Sequence, residues 1–562
     1  MRLLISQYLR LLKERDELDA LIPTLFQAMK LTPISRPQTG VRQDGVDIAA
    51  VGKDPRDGQD KLFLAVVKRG NIGRPDWNSG LQSIRPSLDE IFDVYLQNNV
   101  QPEYKGLPVV IWVCTSGDLL QIVNDNFVGY AKTKEHQAEI IFYGADRLAE
   151  LIEQYLLNEN IFLGNDRKFL RKTLVLIGDI DYDLSDYYLL LLSQLAISHD
   201  DQVTQQTEVD FFAALTRIHL ALKIVITWGD DAGNLKQPLL AAERTLLWTW
   251  HAIVKQNFLD TEKIRGEYAS ICATYFNVAL MYFKKVRQYF AVEDGMTQVS
   301  SDSALISISI FRQIAMLASV GTFVISIDNG EHTEEIRPII QQIANMLRAI
   351  IDNNQASSSP RLDENSIDIN IAMVFFYLIR DIDFAKNWLK KLISKLVFTV
   401  AHKHNYPISS DNLEELAQIT HGTFDEDKFM LGATWLVPSL AIWCAFFDMN
   451  DEYCYLVRNL ITPNFGICPQ LWHPVEDTYD FFYFGKSILH QGETEININF
   501  GKSISAMKEK ILKFKLSERY NVFMFSPSLK RQLYGIELLA CKHFRIPVPP
   551  VFIYSLFESE AI

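Results

Sequence analysis

The sequence predicts an N-terminal α/β domain built on a central mixed sheet flanked by helices, followed by a large, irregular all-α region. Three observations carry that expectation. Strand-length apolar runs, rich in β-branched and aromatic residues, alternate with helical stretches over residues 1–165. Beyond them helical periodicity takes over almost without interruption. At 562 residues the chain is also too long for one hydrophobic core. Domains are therefore expected at 1–165, 166–355 and 356–562.

Taken in order, Leu18, Leu21, Ile22, Leu25, Phe26 and Met29 recur at helical spacing. The following residues, 32–45, are rich in Pro, Gly, Gln and Arg and read as a connection. Strands are expected at 46–51, 62–67, 109–114 and 139–143, with helices at 81–96, 119–131 and 146–157. In the second half, helices are expected at 185–197, 210–227, 239–258, 268–289, 304–325, 334–352, 368–400 and 506–516. Polar loops separate them, most visibly 352–366, and no fixed repeat of 30–45 residues emerges.

Composition excludes several classes. A net charge of −14 does not suit a protein that coats nucleic acid with its whole surface. A local basic cleft remains compatible with it, because screening confines Coulomb attraction to about 8–10 Å. The six cysteines are scattered without a CxxC pair, and read as reduced, buried thiols of a cytoplasmic protein. The N-terminus mixes charges into its apolar residues, unlike a secretory leader. The run 304–325 is apolar enough to raise a membrane span, but Arg312, Gln313 and several serines interrupt it. A charge at mid-bilayer costs about 3 kcal/mol, so a buried core helix is expected there and at 436–447, with no membrane partner.

The chemistry concentrates in two stretches. A loop, Gln43-Asp-Gly-Val-Asp47, delivers an aspartate onto a strand, and a second strand about a dozen residues later ends in Lys68-Arg69-Gly70. Side chains alternate along a strand, so Leu62, Leu64, Val66 and Lys68 share one side. Pairing of the two strands brings Asp47 beside Lys68 at the end of the sheet. A carboxylate there suits a hard cation such as Mg²⁺ or Mn²⁺, and the amine suits orientation of a nucleophile or stabilisation of developing charge. Taken singly, Asp47 reads as a turn residue and Lys68-Arg69 as a solvated strand end; the joint pattern points to phosphodiester chemistry. Lys53, Arg56, Lys61, Arg69, Arg74 and Arg85 add positive charge suited to phosphate contacts.

Gly45-Val-Asp47-Ile, the strand ending in Lys68, the Arg-Gly that follows it and Trp77 resemble the PD-(D/E)xK nuclease superfamily. The similarity is to Mrr-like restriction-endonuclease domains and related modules of bacterial antiphage defence proteins, and it spans roughly residues 15–160. It implies a restriction-endonuclease-like fold, with Asp47 as the metal-binding aspartate and Lys68 as the catalytic lysine. Asp19 falls where the family often has a glutamate on the first helix and would be a second metal ligand; Glu17 is the alternative, and Pro23 would kink or restart that helix. Gln82 matches a glutamine that related domains use near DNA. One position departs from the pattern. Two residues before the lysine the family carries a carboxylate or glutamine, and here stands Val66. Either another residue supplies the ligand, for which Asp89 and Glu90 are candidates, or the site is weakened or dead.

Other motifs are absent or bland. There is no phosphate-binding GxxxxGK[ST] loop, no GxGxxG and no HExxH. Thr115-Ser-Gly-Asp reads as a strand-to-helix cap; the histidines at 402, 404, 473 and 490 lack a metal-ligand frame, and those in the aromatic-rich stretch, 473 and 490, read as packing residues. The resemblance implies a metal-dependent DNA endonuclease effector. Its helical region would sense a trigger, bind a companion defence protein or self-associate. The competing expectation is an inactive nuclease fold serving as a nucleic-acid-binding or scaffolding subunit. A third is a membrane-attached protein using 304–325.

Overall fold

A computed structural model of the chain describes residues 2–35, 44–80, 83–156, 162, 164–198, 202–299, 302–328, 333–403, 407–408, 412–420, 432–462, 467–485, 488–496, 498–517 and 526–557. The chain forms two compact units, Met1–Ala241 with Gln256–Ile271, and Ala242–Lys255 with Cys272–Ile562. The division falls inside two long helices, Lys236–Lys255 and Glu262–Phe290.

The first unit contains a five-stranded mixed sheet in sequential order: β1 (Thr32–Ser35), β2 (Ile48–Lys53), β3 (Asp60–Lys68), β4 (Val109–Thr115) and β5 (Glu139–Tyr143). The β1–β2 and β2–β3 pairs are antiparallel, and the β3–β4 and β4–β5 pairs are parallel. β3 and β4 are covered on both faces, which is why their sequences read as continuous apolar runs rather than as alternation. On one face Leu62, Leu64 and Val66 pack with Trp77, Leu88 and Phe127, under α3 (Arg74–Asn78), α4 (Ile84–Glu90) and α5 (Gln121–Lys134). On the other face Phe63 and Trp112 meet Phe26. Phe26 comes from the helix Asp19–Ala28, which continues through Pro23. That helix (α2) and α6 (Ala145–Tyr155) complete the opposite layer, and α1 (Arg2–Leu11) packs on the latter.

Three features differ from expectation. Residues 32–35, expected as connection, form edge strand β1; Pro33 is tolerated there because an edge strand need not donate on its free side. The helix expected at 81–96 is α4 continued by a π-helical segment, Ile91–Asn99. The single helix expected at 368–400 is two, Asn365–Leu378 and Ile382–Lys403. Between them Arg380 takes a left-handed φ of 62°, and the Asp381 N–H reaches back to the Phe376 carbonyl, a Schellman-type stop.

The second half is helical, though not wholly α. Ala433–Thr434 pairs with Cys468–Pro469, and Leu471–Pro474 pairs with Gly492–Glu495. The apolar run at 304–325 lies in the helix Ser303–Asp328, the one helix among the described residues long and apolar enough to cross a bilayer. It is 72% buried over its most apolar window, Arg312 pairs with Glu364, and Gln313 donates to the Tyr282 hydroxyl at 2.7 Å. Those are the contacts of a core helix. All six cysteines are free, but Cys468 is exposed and Cys454 half-buried, so burial does not hold for every thiol.

Candidate active site

The site lies where the antiparallel and parallel halves of the sheet meet. β2 and β3 run in register Ile48↔Ala65, so Asp47, just ahead of β2, arrives beside the last residues of β3. Its N–H donates to the Ala65 carbonyl at 3.0 Å, and its Oδ2 accepts the Val67 N–H at 2.7 Å. The carboxylate is thereby pinned to the β3 backbone one residue before Lys68. The turn that delivers it requires glycine: Gly45 sits at φ +82°, and a Cβ there would overlap the Ser87 carbonyl of α4.

A carboxylate that the sequence reading did not select completes the constellation. Glu14 opens a π-helical turn, Glu14–Leu18, between the first two helices. Its Oε1 stands 3.5 Å from the Lys68 Nζ, and its Oε2 accepts the Arg69 N–H at 3.2 Å. In that turn the Asp19 N–H bonds to the Glu14 carbonyl, an i→i+5 contact, so Glu14 and Asp19 stand one turn apart. Helical periodicity of 3.6 could not have aligned them. The inserted residue does.

Electrostatics tie the group together. Burial pushes the Asp47 carboxyl above its ordinary range; the Val67 N–H and Lys68 pull it back, while Glu14 and Asp19 push it further up. Glu17, the alternative to Asp19, instead accepts the Lys13 N–H at 2.8 Å at the start of the π turn. Val66 is 1% exposed within the apolar layer and offers no ligand. Of its two candidate substitutes, Asp89 is occupied by the Tyr130 hydroxyl at 2.7 Å, and Glu90 lies at the end of α4.

The strand ends around Lys68 are held by their connections. The Thr115 hydroxyl donates to the Gly70 carbonyl, the Gly70 N–H donates to Ser116 Oγ at 2.9 Å, and the Asp118 N–H donates to Asn71 Oδ1 at 2.9 Å. Thr115 and Ser116 thus clasp two loops; they do not cap a helix, since Leu120 stands at the start of α5. Arg10, also unforeseen, pairs with Asp118 at 2.9 Å on the same rim.

The remaining basic residues divide between the two ends of the sheet. Arg69 and Arg74 are exposed in the segment leaving the Lys68 end of β3. Lys53 ends β2 six residues after Asp47, about 20 Å away at 3.3–3.4 Å per residue. At that far end Arg56 is paired with Asp54 and Glu139, and Lys61 with Asp54 and Asp57. Lys53, Arg56 and Lys61 therefore do not add charge around Asp47, because an antiparallel strand carries them away from it. Arg85 lies over the Tyr130 ring, 5.9 Å from its centroid. Gln82 and His404 lie outside the described residues.

Among the described residues, no three His, Cys, Asp or Glu side chains stand close enough to hold a metal as a ready cage. Mg²⁺ does not ask for one. It keeps several waters and is bound through one or two carboxylates plus substrate phosphates. Asp47, with one oxygen on Val67 and neighbouring Glu14 and Asp19, fits that mode. No family model, curated protein or solved structure matches the chain.

Proposed function

We propose that the sheet end around Asp47 and Lys68 is a divalent-metal-dependent phosphodiesterase site acting on DNA, in a restriction-endonuclease-like domain. The observation that carries the reading is the meeting of a pinned, desolvated carboxylate with a lysine and a second carboxylate at a partly exposed strand end. Asp47, with Asp19 or Glu14, would hold Mg²⁺ or Mn²⁺. The metal supplies Lewis-acid polarisation of the phosphoryl group and a more acidic bound water. Lys68 would orient the attacking oxygen or meet the charge that develops on phosphate. Glu14, paired to Lys68 and to the Arg69 backbone, keeps the amine at the strand end. Arg69 and Arg74 would contact the DNA backbone.

The test is nicking of supercoiled plasmid by the full-length protein with Mg²⁺ or Mn²⁺. Lys68→Ala and Asp47→Ala should each lower the rate by at least about 100-fold, the scale of losing one charge-stabilising group. A second reading is favoured by Val66, whose burial removes the strand's usual second ligand: an inactive fold that binds nucleic acid or scaffolds. Wild-type protein that binds DNA yet never nicks it, with either metal, would establish that reading instead. A role as effector of a bacterial antiphage defence system, with the helical region as sensor, companion-binding or self-association surface, rests on the family resemblance.

A further inference from the structure

The second unit carries a feature independent of the Asp47 site. The helix Ile382–Lys403 holds five lysines and one acid in a chain whose net charge is −14. Its apolar stripe, including Trp388, Leu389, Leu392, Ile393 and Leu396, is buried. Its outer side lines an open trough of about 810 Å³, floored by Phe384, Asn387, Lys390, Lys391, Lys395 and Phe398. Among the described residues, Lys390 and Lys391 make only long ion pairs, 3.4 Å to Glu452 and 3.6 Å to Asp352, with lysines largely exposed. Such pairs are worth little and exchange readily for another anion. At the end of the lysine run Phe398 is 58% exposed, and its ring stacks on His402 at 4.3 Å.

We infer that this trough binds single-stranded nucleic acid, with the lysines along the backbone and the Phe398–His402 stack as a platform for a base. Sequence-tolerant single-strand sites combine these two parts, a positive groove and exposed rings. Phe384 and Phe398 are 14 residues apart, about 21 Å at 1.5 Å per residue, the scale of a short site of about 4 nucleotides. A lipid surface is the poorer match, because the apolar face a bilayer would take up is already packed inside the unit. Double-stranded DNA has its bases stacked and gains nothing from Phe398.

The experiment is fluorescence anisotropy with a labelled 12-nucleotide oligo-dT and the full-length protein in EDTA, where no metal-dependent cleavage can occur. Binding should weaken with salt, with a log–log slope of about −2 if three lysines neutralise phosphates at about 0.7 each. The double variant Lys391→Glu, Lys395→Glu should bind at least tenfold more weakly, with a shallower slope. Phe398→Ala should weaken binding about fivefold or more at unchanged slope, since stacking releases no counterions. Both sites are exposed, and circular dichroism checks that the variants fold; if the charge reversal unfolds, the Lys→Gln pair carries the same comparison. Three results would overturn the inference. The oligonucleotide could bind all these variants as it binds wild type. Its affinity could depend on Arg69 and Arg74 instead. Or the variants could lose binding to phosphatidylserine vesicles while keeping the oligonucleotide. None of these outcomes depends on whether the Asp47 site cleaves DNA.

Discussion

Lys68 is distinguished from a solvated strand end by what stands against it. Glu14 engages both its amine and the next backbone N–H, and the Asp47 carboxylate is bound to the residue before it. Because the Lys68–Glu14 pair is partly exposed, removing its charge should cost little stability, about 0–1 kcal/mol. Glu14→Gln is therefore expected to melt within a few degrees of wild type while nicking falls about 10-fold or more. Unchanged nicking would remove Glu14 from the site. Gly45→Ala should instead cost stability. A methyl cannot fit against the Ser87 carbonyl, and φ +82° strains any L-residue, so urea denaturation should show a loss of about 2 kcal/mol or more. Asp47 was legible because a glycine-containing turn running into an apolar strand is a local signal. Glu14 was not, since its role arises from a π turn that leaves no mark on hydrophobic period.

Between elements, the clasp of Thr115 and Ser116 onto Gly70 fixes how the β3 and β4 ends sit against each other. Thr115→Val keeps the shape but leaves the Gly70 carbonyl without that donor. A cost of about 1–2 kcal/mol is expected for an unmade, partly buried hydrogen bond. Nicking should fall further than stability explains, because Lys68 lies on the strand being held. Wild-type activity in this variant would make the clasp purely architectural. The four expected strands were readable from short apolar runs rich in β-branched and aromatic residues, and most long helices from their period. Edge strand β1, the π segments and the stop at Arg380 escaped the sequence because none of them changes the apolar pattern that marks an element.

Across the second unit, a buried polar cluster joins residues about 300 positions apart. Glu243 is fully buried and bonded to Lys542 and to His543, whose other ring nitrogen meets Arg244. Burial works against the Glu243 charge, yet Lys542 and His543 outweigh it and hold the carboxyl below its usual range. Lys542→Met should destabilise by about 3–5 kcal/mol, because it strands a buried charge, and Glu243→Gln in the same chain should restore much of that loss. Equal melting of the single and double variants would refute the coupling. Burial also lowers the His543 pKa to about 4, so the folded protein refuses a proton that the unfolded chain accepts. Stability from this group is present above about pH 6.5 and is lost as pH falls toward about 4. The fall in melting temperature from pH 7.5 to 5 should be smaller in His543→Gln than in wild type.

The amino-acid order by itself determined the layer plan, a sheet-bearing first part and a helical remainder, because doubly covered strands must be short apolar runs and packed helices must repeat their apolar residues every three to four positions. It also marked Asp47 and Lys68, each at the end of an apolar strand. Which charges gather there was decided only by the tertiary fold. Antiparallel pairing carried Lys53 to the far end of the sheet, an extra residue in one turn brought Glu14 to Lys68, and partners distant in sequence closed the cluster around Glu243. Electrostatic and hydrogen-bonding contacts depend on ångström distances in space, and separation along the chain does not encode them.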